Sequence, residues 1–261
     1  MDIIISIALA LALVILTLKK RAFTLPAALT SAVILVLSAI CASFSGIFIV
    51  LFAYGVIFLV DIVIGKKSEK VTKEINKKSG ARDVFQVLSN ALAAIIALVV
   101  GKISGNDAFV VVYAVALTEC LADSLASDVG VLSKKPPVDI CTLKPIKRGL
   151  SGGVSALGTL AAFLGCLSMS IFTLIFFGFH AKYFLSILII PMLGITIDSI
   201  IGSRIQAKYT CSRCGKLTEK PMHCDTPSTL TGGLKFITND AVNFISNLSS
   251  ALIALLVLII L

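Results

Sequence analysis

Eight stretches of the chain are nearly free of charge and long enough for a helix rising 1.5 Å per residue to cross about 30 Å of hydrocarbon. They run at about 2–18, 22–42, 45–65, 84–101, 108–128, 153–178, 183–203 and 239–261, each bounded by charge, Gly or Pro. The second, fifth and last carry scattered Ser, Thr or Asn, which marks faces turned toward other helices more than toward lipid. Lys19, Lys20 and Arg21 follow the first stretch and no basic residue precedes it. That is the reverse of a secretory signal's charge order, so the stretch is expected to be a retained anchor. The pattern predicts an all-α polytopic transmembrane helix bundle of about eight spans. Residues 1–65 form its N-terminal helices, and 66–261 carry the polar motifs with connections at 66–82, 129–152 and 204–238.

Composition agrees with the pattern. Of 261 residues, 57% are hydrophobic and 14% charged, with a mean hydropathy of +1.03; a soluble domain carries about 25% charge. Too little polar material remains to coat a water-soluble globule. The net charge of +9 would suggest nucleic acid in a soluble protein, but its placement says otherwise. Every Lys and Arg except Lys102 and Lys182 falls in 19–21, 66–82, 134–148 or 204–235, which are alternate connections. The positive-inside rule puts these four in the cytoplasm and both termini outside, as in a multi-pass protein of the plasma membrane. The charge therefore reports orientation, and no nucleic-acid partner is expected.

Ionisable groups inside spans are costly and mark an interior site. Here Glu119, Asp123 and Ser127 recur every four positions as one polar stripe, with Asp128 near the helix end. Carboxylates so close repel one another unless a cation lies between them, and hard oxygen ligands suit Mg²⁺. Neutralisation by loop cations and a proton or ion pathway are the alternatives. Asp61, Asp123 and Asp198 each stand four residues before a small residue, which suggests repeated helical hairpins. After the stripe come Lys134, Lys144 and Arg148, then Ser151-Gly152-Gly153 opening the next apolar run. A glycine-rich helix start presents free N–H groups and a positive dipole end to phosphate, although glycine also permits close packing. Two further polar faces recur at Arg82, Asp83, Gln86 and Asn90 and at Asn239, Asp240, Asn243 and Asn247. Asp83 and Asp240 also suit the first turn of a helix as caps.

In the last basic connection, Cys211-x₂-Cys214-Gly is followed by His223-Cys224. Cysteines on a reducing cytoplasmic face do not favour a disulfide. Three thiolates and one imidazole could complete a structural Zn²⁺ site, with free or redox-active thiols as the alternative.

Arg82-Asp83…Asn90, Leu121-Ala-Asp123-Ser-Leu-Ala-Ser127-Asp128-Val-Gly130, Ser151-Gly-Gly-Val-Ser155-x₂-Gly158, Asp198-Ser-x₂-Gly202, Cys211-x₂-Cys214-Gly and Asn239-Asp240-Ala-Val-Asn243 follow one another in this order. Over about residues 80–250 this resembles the integral-membrane domain-of-unknown-function family 92, which includes transmembrane protein 19 and the plant phytyl-phosphate kinase. The Asp, basic-loop and Ser-Gly-Gly order is also distantly similar to dolichol kinase, phytol kinase and the phosphatidate cytidylyltransferases. The resemblance implies transfer of a phosphoryl group from a nucleoside triphosphate, with CTP expected, to a prenyl monophosphate such as phytyl or geranylgeranyl phosphate. It further implies Mg²⁺ on Asp123, Asp128 and Asp198, with Glu119 bridging or supporting the metal. Ser151, Gly152 and Gly153 would cradle phosphate, and Arg82, Lys134, Lys144 and Arg148 would counter its charge. Ser127, Asp83, Asn90, Asn239, Asp240 and Asn243 complete the expected phosphate and nucleotide site. The partners are the lipid bilayer, the prenyl phosphate and the nucleotide; the oligomeric state, including a homo-oligomer, is open. A CTP-dependent lipid cytidylyltransferase is the close alternative and a transporter or channel the distant one.

Overall fold

A computed structural model describes residues 2–72 and 81–260. The part of the 66–82 connection at 73–80 lies outside the described residues. The chain is a polytopic helical membrane protein, and among the described residues six helices are long and apolar enough to cross a membrane. In order the seven helices are α1 (Asp2–Lys19), α2 (Leu25–Thr72), α3 (Val84–Ser104), α4 (Phe109–Gly130), α5 (Ala156–Phe177), α6 (Ala181–Arg204) and α7 (Asn239–Ile260), and α1 is the short apolar helix outside the six.

The 48 residues of α2 would span about 72 Å as a rod, more than twice the hydrocarbon thickness. They do not form a rod. Ala42 and Ser43 leave helical geometry, Ser43 at φ +50°, at the boundary between the second and third apolar stretches. The Ser45 hydroxyl donates to the Ala42 carbonyl at 2.6 Å. Beyond the break Gly46 lies so close to the Ser38 carbonyl that a Cβ would collide with its oxygen. Residues eight apart are about 12 Å apart along a straight helix, so this contact means that the chain turns back on itself. The fully buried Tyr113 of α4 closes the turn: its hydroxyl donates to the Gly46 carbonyl at 2.9 Å, with the Ser38 hydroxyl 3.0 Å away.

Helix α4 is the centre of the bundle, packed against α2, α3, α5, α6 and α7. From Val111 to Ala122 every residue is buried. Against α5 the approach depends on small residues, since a Cβ on Gly158 would stand 2.7 Å from the Ala126 carbonyl. The outward faces of the other helices carry exposed Leu, Ile and Phe, as lipid contact requires.

The connections at 20–24, 81–83, 131–155 and 205–238 gather at one end of the bundle. The Arg82 amide donates to the Ala22 carbonyl at 2.8 Å and the Thr24 amide to the Arg82 carbonyl at 3.0 Å. Two of these connections contain strands, a departure from the all-α expectation. In the first, β1 (Val138–Asp139) pairs antiparallel with β2 (Gly153–Val154). The expected Cys-rich loop is a four-stranded antiparallel sheet of β3 (Lys208–Cys211), β4 (Leu217–Thr218), β5 (Met222–His223) and β6 (Thr226–Gly232), in the order β4-β3-β6-β5. Alternation in Lys208–Cys211 puts Tyr209 and Cys211 on the buried side, a signal too short to oppose the helical pattern around it.

Gly46→Ala and Tyr113→Phe test the hairpin. Removing the hydroxyl costs about 1 kcal/mol or more, and the methyl collides with backbone, so Gly46→Ala costs more than Tyr113→Phe. Unfolding in detergent measures both; parent-like stability of Gly46→Ala would contradict the turn.

Candidate functional site

The polar stripe of α4 divides by depth. Glu119, only 2% exposed, is enclosed by α4, α6 and α7. Its carboxylate accepts from the Ser246 hydroxyl at 2.7 Å and from the Asn247 amide at 2.8 Å. The same Asn247 amide group donates to the Ala116 carbonyl at 2.7 Å. Gly194 makes room for this, because a Cβ there would meet the Ser250 hydroxyl and, at 2.7 Å, the Glu119 Cγ. Glu119 lines neither polar cavity described below. Of the two roles expected for it, bridging the metal or supporting it, this depth agrees with the supporting one, since it is joined to Asp198 through Ser246, whose hydroxyl lies 3.5 Å from the Asp198 carboxylate.

One turn and two turns closer to the loop end, Asp123 and Ser127 open into space. A cavity of about 310 Å³ is lined by Asp123, Ser127, Asp128, Ser151, Gly152, Gly153 and Asp198. A second, of about 370 Å³, is lined by Arg82, Gln86, Asn90, Lys235, Asn239 and Asp240, and again by Asp123, Asp128 and Asn243. The three aspartates expected at Mg²⁺ thus border one space, and their oxygen-only donor set suits a hard cation. The polar faces of α3 and α7 also meet. The Asn243 amide donates to the Asn90 side-chain carbonyl at 3.2 Å and the Asn239 amide to Asn243 at 3.3 Å.

A third cavity, about 790 Å³, is mostly apolar and runs between α1 and the arms of α2 past Leu13, Ile34, Val50 and Phe58. At its polar end stand Ser68, Thr72, Arg82, Gln86 and Asp128. Asp128 lines all three cavities, and the Ser68 hydroxyl donates to its carboxylate at 3.4 Å.

Several expected assignments change. Asp83 is the N-cap of α3: it accepts from the Gln86 amide at 3.0 Å, while the Gln86 side chain accepts from the Asp83 amide at 3.0 Å. This reciprocal box is the capping role that the sequence leaves open for Asp83. Lys134 and Lys144 are exposed, Arg148 donates to the Lys134 carbonyl at 2.7 Å, and none of the three lines a polar cavity. Among the described residues, the cations that do are Arg82 and Lys235.

Ser151-Gly152-Gly153 does not open a helix. The N-cap of α5 is Ser155, whose hydroxyl accepts from the Gly158 amide at 3.1 Å. The Ser151 amide already donates to Glu219 at 2.9 Å and the Gly153 amide to the Leu150 carbonyl at 3.3 Å, so the expected cradle of free amides is absent at these two. The glycine at 152 serves close packing instead. It sits at φ +85°, and a Cβ on it would be 2.5 Å from the Ser203 Cα.

Sequence reasoning missed the residues that fix this loop. Asp139 accepts from the Cys141 and Thr142 amides at 3.0 and 2.8 Å and from the Ser203 hydroxyl at 2.8 Å. Desolvation pushes its carboxyl up, but these bonds, Ser203 first, outweigh it and leave the group below the usual value. Glu219, in the sheet connection, is pushed up by burial despite the Ser151 contact. Neither has a motif around it; only the contact across some 65 residues gives it a role.

The sheet also gathers the four expected zinc ligands. Donor atoms of Cys211, Cys214, His223 and Cys224 all lie within 4.8 Å of one another. Desolvation raises the Cys211 thiol, yet the Cys214 amide and His223 side chain oppose it strongly enough to hold it at about 6.

Comparison with protein families matches residues 8–251 to the family described as integral membrane protein DUF92. The chain belongs to the DUF92 family. Among curated relatives of this DUF92 protein, Protein PGR of Arabidopsis thaliana is 29% identical over 227 residues, which cover 75% of this chain and 78% of the relative. An uncharacterized membrane protein of Methanocaldococcus jannaschii is 24% identical over 177 residues, 68% of this chain and 70% of its own length. Another from Synechocystis is 28% identical over 168 residues, 62% and 64% of the two chains. No solved structure matches the DUF92 chain.

Two variants test the loop. Gly152→Ala loses about 1–3 kcal/mol from backbone strain alone, plus the collision with Ser203; parent-like unfolding would contradict the packing. Because Asp139 has a lowered carboxyl, it stabilises the fold above the unfolded value of about 3.9 and loses that effect as pH falls through its lower folded value. The stability difference between the parent and Asp139→Asn is therefore flat above about pH 5 and closes below about pH 4. A difference that widens in acid would refute this.

Proposed function

We propose that the protein is a membrane kinase transferring the terminal phosphoryl group of a nucleoside triphosphate, CTP by the motif resemblance, to a prenyl monophosphate. The observation that carries this reading is the meeting of one long apolar cavity and two polar cavities at Asp128. An acceptor with a flexible hydrocarbon tail and a phosphate head fits that junction: the tail lies between α1 and the arms of α2, and the head reaches Arg82. The triphosphate occupies the polar cavities, where Asp123, Asp128 and Asp198 would hold Mg²⁺. That ion supplies charge neutralisation and orientation for the phosphates.

The chain's own groups then position the reactants. Arg82, pinned through its backbone to Ala22 and Thr24, draws the acceptor phosphate to the mouth of the apolar cavity. Asn90, Asn243 and Asn239, joined by hydrogen bonds between their side-chain amides, present donors and acceptors across the polar space. An acceptor phosphate oxygen attacks the γ-phosphorus in line, the bond to the β-phosphate oxygen breaks, and the nucleoside diphosphate leaves as the prenyl diphosphate forms. No general base is required, because a phosphate monoester has its second pKa near 6.

The same reading counts α1 and both arms of α2 as crossings. It gives eight spans, with the basic connections in the cytoplasm and both termini outside, in the plasma membrane.

Purified protein with Mg²⁺, CTP and geranylgeranyl or phytyl phosphate is expected to yield prenyl diphosphate and CDP. Asp123→Asn and Asp198→Asn each lower kcat about 100-fold or more. Release of pyrophosphate would identify a cytidylyltransferase instead. No prenyl diphosphate with any nucleotide, or parent-like rates in both variants, would overturn the proposal.

A further inference from the structure

The strands between α6 and α7 have almost no core of their own. Met222, Leu217, Leu230 and Leu234 are exposed, and two of the four strands, β4 and β5, are only two residues long. Such a segment does not hold a register by hydrophobic burial. What its folding does achieve is to bring two turns together. Cys211 ends β3 and Cys214 lies in the following turn, closed by Gly215 at φ +67°. His223 ends β5, and Cys224 and Asp225 form the next turn, both at positive φ.

Across these turns, Cys214 Sγ is 3.5 Å and Cys224 Sγ 3.1 Å from His223 Nδ1. A tetrahedral zinc site, with Zn–S about 2.3 Å and Zn–N about 2.0 Å, separates sulfur from nitrogen by about 3.6 Å. No disulfide joins any of these cysteines. The two adjacent ligands, His223 and Cys224, are reconciled by the positive φ of Cys224, which turns its thiol back toward the imidazole.

We propose that Cys211, Cys214, His223 and Cys224 bind one structural Zn²⁺ that folds the sheet and, through the sheet, holds the glycine loop at 149–153. Soft thiolate donors in a tetrahedral set select zinc over the hard cation suited to the aspartates. Four protein ligands leave no open position, so the ion takes no part in hydrolysis or group transfer. Binding releases the thiol protons and closes a segment too small to fold alone. The link to the loop is Glu219, between β4 and β5, which accepts from the Ser151 amide at 2.9 Å. The metal is then a staple for the wall of the polar cavity, and it is needed whatever reaction the cavity performs.

Metal analysis of the purified full chain is expected to find one zinc per molecule. Cys141→Ser keeps it, and the Cys211→Ser, Cys214→Ser double variant loses it. The parent protein provides a measurement independent of variant folding. Cys214 and Cys224 are exposed, so without metal they react with a thiol reagent at once, whereas bound to zinc they react only after a chelator is added. Chelation also raises amide exchange at 149–153, and added zinc restores protection. Absence of zinc with immediately reactive thiols, or zinc retained in the double variant, would overturn the site. Unchanged exchange at 149–153 after zinc removal would overturn the link to the loop. None of these readouts depends on kinase turnover, so they stand or fall apart from the proposed reaction.

Discussion

A carboxylate inside an apolar bundle has to be satisfied from within it, and the packing of α4, α6 and α7 answers to that constraint. Glu119 cannot reach water, so Ser246 and Asn247 are turned inward to bond it, and Gly194 is needed for the side chains to fit. This arrangement fixes the rotation of α7. Once that rotation is set, Asn239 and Asn243 stand on the face that meets Asn90. It also fixes the facing of α6, which brings Asp198 to the cavity bordered by Asp123 and Asp128. The deep carboxylate is bonded from within the bundle, and the outer ones border the polar cavity.

Much of this was legible in the sequence because apolar length and charge placement are strong signals. The α-helical stretches, the break between the second and third apolar stretches, and the convergence of basic connections at one end all follow from pattern. The two polar faces on α3 and α7 are legible too, but their meeting through Asn90 and Asn243 is seen only in the structure. The failures have a common cause. Ser151-Gly152-Gly153 looks like an anion-binding helix start until the distant Glu219 and Ser203 are seen to occupy the amide and the glycine. Asp139 and Glu219 lie in short loop sequences with no periodicity, and their function exists only through contacts to remote segments. Lys134, Lys144 and Arg148 were attractive for charge alone, and charge does not reveal direction.

The site is built from two materials with different sources of order. Its floor is helical and held by apolar burial and the Glu119 network. Its rim is a pair of small β elements, braced by Asp139 against Ser203 and by Glu219 against Ser151. Between them the apolar cavity enters from the side of α1 and α2, and the polar space opens at the loop end. Under the proposed function, this division would serve one amphiphilic and one water-soluble partner, whose cavities share Asp128.

That division is tested most directly by photolabelling the parent protein in lipid nanodiscs with a prenyl monophosphate carrying a diazirine near the end of its tail. The account predicts labels on α1 and the two arms of α2, around Leu13, Ile34, Val50 and Phe58, and their loss when unlabelled prenyl phosphate, but not the corresponding alcohol, is added in excess. Labels confined to other helices, or competition as strong from the alcohol as from the phosphate, would contradict it.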